Sequence, residues 1–163
     1  MKTLRYNKLI ILALLIVAAL IGSTSSAQDA KSNQDNEIKE LVDAKRFTFK
    51  AQTVNPQRGR VVQLNTEYDL KLAGDTLRTY LPYFGRAYSA PIGSRGGIEF
   101  TSNDFEYTER ARKKGGWDIT IKPRDVSDVR EMNLVVFENG KASLRVTSNN
   151  REPISYNGYV AAK

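Results

Sequence analysis

The sequence predicts an α+β domain that is predominantly antiparallel β, with a short N-terminal helix packed on a curved sheet or partly open barrel of about seven to nine strands. Three observations carry this expectation. Only the stretch from Ile38 to Lys45 has the period of an amphipathic helix, whereas from Phe47 to Tyr156 apolar and polar residues alternate with period two. Turn signals separate the alternating runs, clearest at Asn139-Gly140, where both residues accept the positive φ of a tight hairpin. Polar residues between the apolar ones of each run are what an antiparallel sheet with one wet face requires.

In the helix, Ile38, Leu41, Val42 and Lys45 fall at i, i+3, i+4 and i+7, with the Lys45 stem lying along the edge of the stripe. Asn36 or Asp35 is placed to cap its start, and Glu37 and Glu40 suit the positive end of its dipole. The strands follow. Phe47, Phe49 and Ala51 form the first run, and Val62 and Leu64 resume after the turn Asn55–Gly59. Tyr68, Leu70 and Leu72 continue to Gly74-Asp75, which leads into Thr76–Leu81. The later runs are Ile98/Phe100, Phe105/Tyr107, Trp117/Ile119/Ile121, Met132/Leu134/Val136, Ala142/Leu144/Val146 and Ile154/Tyr156. Lys113–Gly116 reads as the turn of a longer hairpin, and Pro123–Ser127 as a crossing or a single helical turn.

Composition limits the chemistry. The 163 residues include no His and no Cys. That excludes a Ser-His-Asp triad, a Cys nucleophile, thiolate or imidazole metal sites and disulfides. Residues 1–27 have the parts of a secretory signal: Lys2, Arg5 and Lys8, then thirteen residues from Leu9 to Ile21 without a polar side chain, then small residues ending at Ala27. Thirteen helical residues span about 20 Å, short of a hydrocarbon core of about 30 Å. The expectation is therefore an exported protein, periplasmic or extracellular, and not transmembrane after signal cleavage; an uncleaved anchor is the alternative. Removing the signal lowers the formal net charge from +7 to +4. Residues 28–36 read as a flexible polar leader and 37–163 as a single domain.

One segment breaks the alternation. Pro82–Gly97 runs sixteen residues with two Pro and four Gly, a length at which loops tend to be functional. Tyr83, Phe84, Arg86, Tyr88 and Arg95 are the candidate ligand- or partner-binding residues. Tyrosines give flat amphipathic contact area, and arginines offer forked hydrogen bonds to a carboxylate or phosphate. The competing reading is an Ω-loop whose aromatics fold inward to plug the end of the sheet. The direction of those aromatics separates the two.

The stretches RFTF at 46–49, YLPYFGRAYSAPIG at 80–93, GGI at 96–98, KGGW at 114–117, IKP at 121–123 and VTSNNR at 146–151 resemble the bacterial family called domain of unknown function 4251. The resemblance spans roughly Leu41 to Tyr159. It implies a small, exported, single-domain protein and brings no activity, cofactor or catalytic residue.

For catalysis the remaining acids are Glu99, Asp104, Glu106, Asp125, Asp128 and Glu131, of which two would have to share a cleft for a carboxylate-based hydrolase. Asp125, Asp128 and Glu131 lack the order of a calcium loop; pairing with Arg124 and Arg130 is the plainer expectation. The cationic cluster Arg110, Arg112, Lys113 and Lys114 sits at a turn, where such residues are ordinarily solvated. The sequence therefore predicts no cofactor, no metal site, no catalytic residue and no nucleic-acid partner. The expected role is a non-catalytic binding or structural module of the cell envelope, facing a protein, peptide or glycan. A half-barrel holding a small apolar ligand is the alternative.

Overall fold

The computed structural model describes residues 36–88 and 96–162. The expected signal 1–27 lies outside those residues, as does the leader up to residue 35, while Asn36 is already helical. Residues 35–163 form one compact unit. Helix α1 covers 36–43. Nine strands follow: β1 (Arg46–Pro56), β2 (Val62–Ala73), β3 (Thr76–Leu81), β4 (Ile98–Ser102), β5 (Phe105–Ala111), β6 (Trp117–Pro123), β7 (Val129–Val136), β8 (Lys141–Ser148) and β9 (Ile154–Ala161).

Two meanders, β1 to β4 and β5 to β9, join where the first and last strands pair. The order is β4-β3-β2-β1-β9-β8-β7-β6-β5, with every neighbouring pair antiparallel. The sheet curls into a nearly closed barrel whose one unsealed seam lies between β4 and β5. These two edge strands are consecutive in the chain, linked only by Asn103-Asp104. A set of hydrogen bonds ties that link to the β6–β7 loop. The Ser102 hydroxyl donates to Asp125, the Asn103 N–H reaches Asp125 Oδ2 at 3.1 Å, and the Arg124 N–H reaches the Asp104 carbonyl at 2.8 Å. The Ser102 hydroxyl holds the Asp125 carboxyl below its ordinary range.

Alternation sends one row of each strand inward. Phe47, Phe49, Leu70, Leu72, Leu77, Leu81, Ile119, Ile121, Leu134, Leu144 and Tyr156 belong to a contiguous buried cluster to which α1 adds Ile38 and Val42. At about 25 cal/mol per Å² of buried apolar surface, a row of this kind in every strand is the main source of stability in a chain without disulfides. An apolar ligand held inside would have to displace this cluster.

Three local expectations are corrected. Lys45 is not on the helical stripe: α1 ends before it, and Lys45 takes φ 52°, the left-handed position that closes a helix. Its carbonyl accepts the Gly74 N–H at 2.9 Å, and its ammonium lies 4.7 Å from the Tyr107 ring centroid. The stretch after Pro123 is neither a crossing nor a helical turn but the loop of the β6–β7 hairpin. Arg124 and Arg130 are not the partners of Asp125 and Asp128. Arg124 faces Glu106 at 3.8 Å, Asp125 receives Ser102, and Asp128 pairs with Arg151.

One irregularity shapes the outer face. Between Ala51 and Thr53 the register shifts against both neighbours of β1. Against β9 it is a bulge at Gln52, and Gly158 opposite is required there, because a Cβ would stand 1.9 Å from the Lys50 carbonyl oxygen. Against β2 the partner jumps from Tyr68 to Gln63, so that 64–67 make an excursion from the ladder.

Candidate functional site: an aromatic groove beside the 82–97 loop

The loop leaves β3 at Leu81 and rejoins the sheet at Ile98, and its first half lies over the connection into β9. Residue pairing holds it there: Ala87 bridges Arg151, the Tyr88 N–H donates to the Asn150 carbonyl at 2.8 Å, and the Glu152 N–H donates to the Arg86 carbonyl at 2.9 Å. The predicted Ω-loop is thus partly a tenth, very short strip of antiparallel backbone.

Its aromatics divide. Tyr83 turns inward. Its hydroxyl lies 3.0 Å from the Glu152 carbonyl and 2.8 Å from that of Arg86, to either of which it donates. The Arg151 guanidinium lies 5.1 Å from its ring centroid. Burial, then the neighbouring Glu152 charge, raises the phenol above its ordinary range, against the opposing pull of Arg151. Gly85 makes this fold possible, because a Cβ there would sit 2.5 Å from the Tyr83 hydroxyl. Phe84, Arg86 and Tyr88 turn outward, with Phe84 50% and Tyr88 71% exposed. Arg95 lies outside the described residues.

Beneath the loop is a buried polar cluster that alternation did not reveal. Arg151 is only 8% exposed and Glu152 only 6%. Arg151 donates from Nη1 to the Gly97 carbonyl at 3.1 Å and pairs through Nε with Asp128 Oδ2 at 3.3 Å. It therefore touches both ends of the loop, Tyr83 and Gly97, and anchors them to the β6–β7 loop. The Tyr156 hydroxyl, at the end of a fully buried side chain, donates to the Pro82 carbonyl at 2.7 Å. Burial drives the Tyr156 phenol well above its ordinary range. The second oxygen of Asp128 is buried without a hydrogen-bond partner among the described residues.

The outward side of the same segment is one wall of a groove of about 520 Å³. Pro82, Tyr83 and Phe84 from the loop face Tyr80 on β3, Tyr68 on β2 and Glu99 on β4, with Gly96 and Gly97 at the rim. Tyr80 is outward because Leu77, Thr79 and Leu81 take the buried row of β3, which leaves it 43% exposed. Tyr68 stands where the excursion of β2 rejoins the ladder, and its ring stacks on Tyr80 with centroids 5.3 Å apart and planes 30° apart. The Tyr80 position is legible in the period of β3; the stack is not, because it depends on where β2 rejoins.

The acids considered for hydrolysis are dispersed. Glu106 faces Arg124, Asp125 receives Ser102, Asp128 pairs with Arg151, and Glu131 accepts from Asn133 and faces Lys122 at 3.8 Å. Glu99 is the one carboxylate among the described residues lining the groove. No three acidic side chains among the described residues converge as a metal site would require. In the cationic turn, Arg112 is engaged by Asp118 at 3.2 Å and lies over the Phe137 ring. A second concavity of about 400 Å³ lies near the seam, between Lys45, Asp75, Asn103, Phe105 and Tyr107. No helix among the described residues is long and apolar enough to cross a membrane.

The comparisons with known proteins agree with this architecture. A family model described as "Domain of unknown function (DUF4251)" matches residues 29–160. A crystal structure of a DUF4251 family protein from Bacteroides eggerthii superimposes with a TM-score of 0.61 at 14% identity, covering 83% of this chain and 91% of that one. At that identity the likeness speaks for the fold alone. No curated protein matches the chain.

Proposed function

From a chain that belongs to the DUF4251 family, we propose an exported, non-catalytic binding module of the bacterial cell envelope that meets its partner at the groove beside the 82–97 loop. The observation that carries the reading is the division of the loop. Its inner half is fixed by Tyr83, Arg151, Glu152 and Tyr156, and this holds Phe84 outward beside the stacked Tyr68 and Tyr80. Exposed aromatics on a braced wall offer contact area at little ordering cost, which is what recognition surfaces use. The basic N-terminus, apolar run and small residues of 1–27 support export. A single carboxylate among the groove's described lining supports binding over paired-acid hydrolysis.

Co-sedimentation with isolated bacterial envelope tests the reading. The Tyr80→Ala/Phe84→Ala variant, with unchanged circular dichroism, is expected to stay in the supernatant when the wild type pellets. Equal pelleting of the two proteins would remove the groove as the recognition surface.

A further inference from the structure

The groove's chemistry narrows the class of ligand. Its described lining offers aromatic surface alternating with hydroxyl-bonding groups. Tyr80 and Phe84 are each close to half exposed, so part of their ring surface remains open to a ligand. The face of an aromatic ring carries the negative end of its quadrupole, which suits the C–H-bearing face of a pyranose. The phenol groups of Tyr68 and Tyr80 stand among the apolar walls, where ring hydroxyls would need partners. Among the described residues, a Cβ at Gly96 on the rim would meet nothing within 4 Å. Its volume of about 520 Å³ falls within the usual range of ligand sites. The bracing from below matters here, because weak stacking contacts give affinity only where the walls need no ordering.

We infer that the groove takes a saccharide chain, with a pyranose ring laid against Tyr80 and Phe84 and its hydroxyls bonded to the phenols of Tyr68 and Tyr80. This rests on the groove being the recognition surface.

The test is an NMR titration of the isotope-labelled full chain, following the aromatic signals of Tyr80 and Phe84 and the amides of Gly96 and Gly97. The probes are neutral N-acetylhexosamine and hexose tetrasaccharides, a polyproline decapeptide and tetramethylammonium chloride. The expected result is saturable shifts with at least one tetrasaccharide at about 1 mM or below. Tyr80→Ala should weaken that binding by about tenfold or more, Tyr80→Phe by much less, and the remote Arg110→Ala not at all. Shifts with polyproline or tetramethylammonium but with no saccharide overturn the saccharide class and leave the groove standing. No response to any probe overturns it too; the co-sedimentation of the Tyr80→Ala/Phe84→Ala variant then shows whether the groove reading falls with it.

Discussion

Two sides of one loop use the same residue types for opposite ends. Below, Tyr83 and Arg151 are fastened: the phenol to backbone carbonyls, the guanidinium to Asp128, Gly97 and the Tyr83 ring. Above, Phe84, Arg86 and Tyr88 are exposed within five residues of Tyr83, and Tyr80 stacks on the ring of Tyr68. The difference teaches that an aromatic, Gly-rich loop need not be either a plug or a site. The bracing on one face holds the exposed aromatics of the other in place. Stability and recognition should therefore separate on substitution, and the size of that separation can be measured.

The largest effect is expected at Arg151. Arg151→Ala leaves Asp128 without its cation and unfastens the loop at both ends. Breaking a buried pair costs about 3–5 kcal/mol; with Asp128 a quarter exposed, about 3 kcal/mol is expected in urea unfolding. Asp128→Ala in the Arg151→Ala background should cost little more, because the uncompensated charge is then gone. A full additive loss in the double variant would break the claim that the two act as a pair.

Next come the two hydroxyls. Tyr83→Phe and Tyr156→Phe each remove one hydrogen bond to the loop or its anchor and leave the ring packing intact. Each should cost about 1 kcal/mol. Amide exchange should accelerate at Tyr88 and Glu152, whose N–H groups join the loop to the β8–β9 connection, before it does in the central strands. Uniform acceleration would mean that the loop is part of the global unfolding unit and not a separable brace.

The same phenols give a pH signature. Burial raises the proton affinity of Tyr83, Tyr107 and Tyr156 in the folded state. Above about pH 10 the unfolded chain loses these protons while the folded one keeps them, so stability should be level below that pH and fall as it rises further. Replacing Tyr83 by Phe should make the fall shallower, by less than the loss of its hydrogen bond at neutral pH. An unchanged alkaline slope would show that its phenol is not held protonated by the fold.

Much of the sheet was legible because a wall with one wet face leaves a period of two in every strand. Leu77, Thr79 and Leu81 are buried and Tyr80 is exposed for that reason alone. Strand order was not legible, since β1 meets β9 across nearly the whole chain and no local pattern encodes that pairing. Lys45 misled because a helix-period residue can sit one step past the helix end, where only the left-handed turn reveals it. Arg151 and Glu152, adjacent charges before a proline, carry no periodic signal of burial; their burial follows from the loop that covers them. The sequence leaves the direction of Tyr83 open, because Gly85, which makes room for its inward turn, allows either direction.

The smallest effect on stability is expected on the outer rim, and it sharpens the comparison most. Phe84→Ala and Tyr88→Ala remove side chains that are at least half exposed, and neither holds the loop to the sheet through its side chain among the described contacts. Each should change unfolding free energy by no more than about 0.5 kcal/mol, the usual range for such surface positions. Tyr80→Ala loses its stack on Tyr68 as well and should cost about 1 kcal/mol at most. If Phe84→Ala proved as costly as Arg151→Ala, the rim would be a second brace, and its aromatics would need no ligand to explain them. If it is silent in unfolding yet removes envelope binding, the two faces of the loop have separate physical roles, and the exposed one exists for contact with something outside the chain.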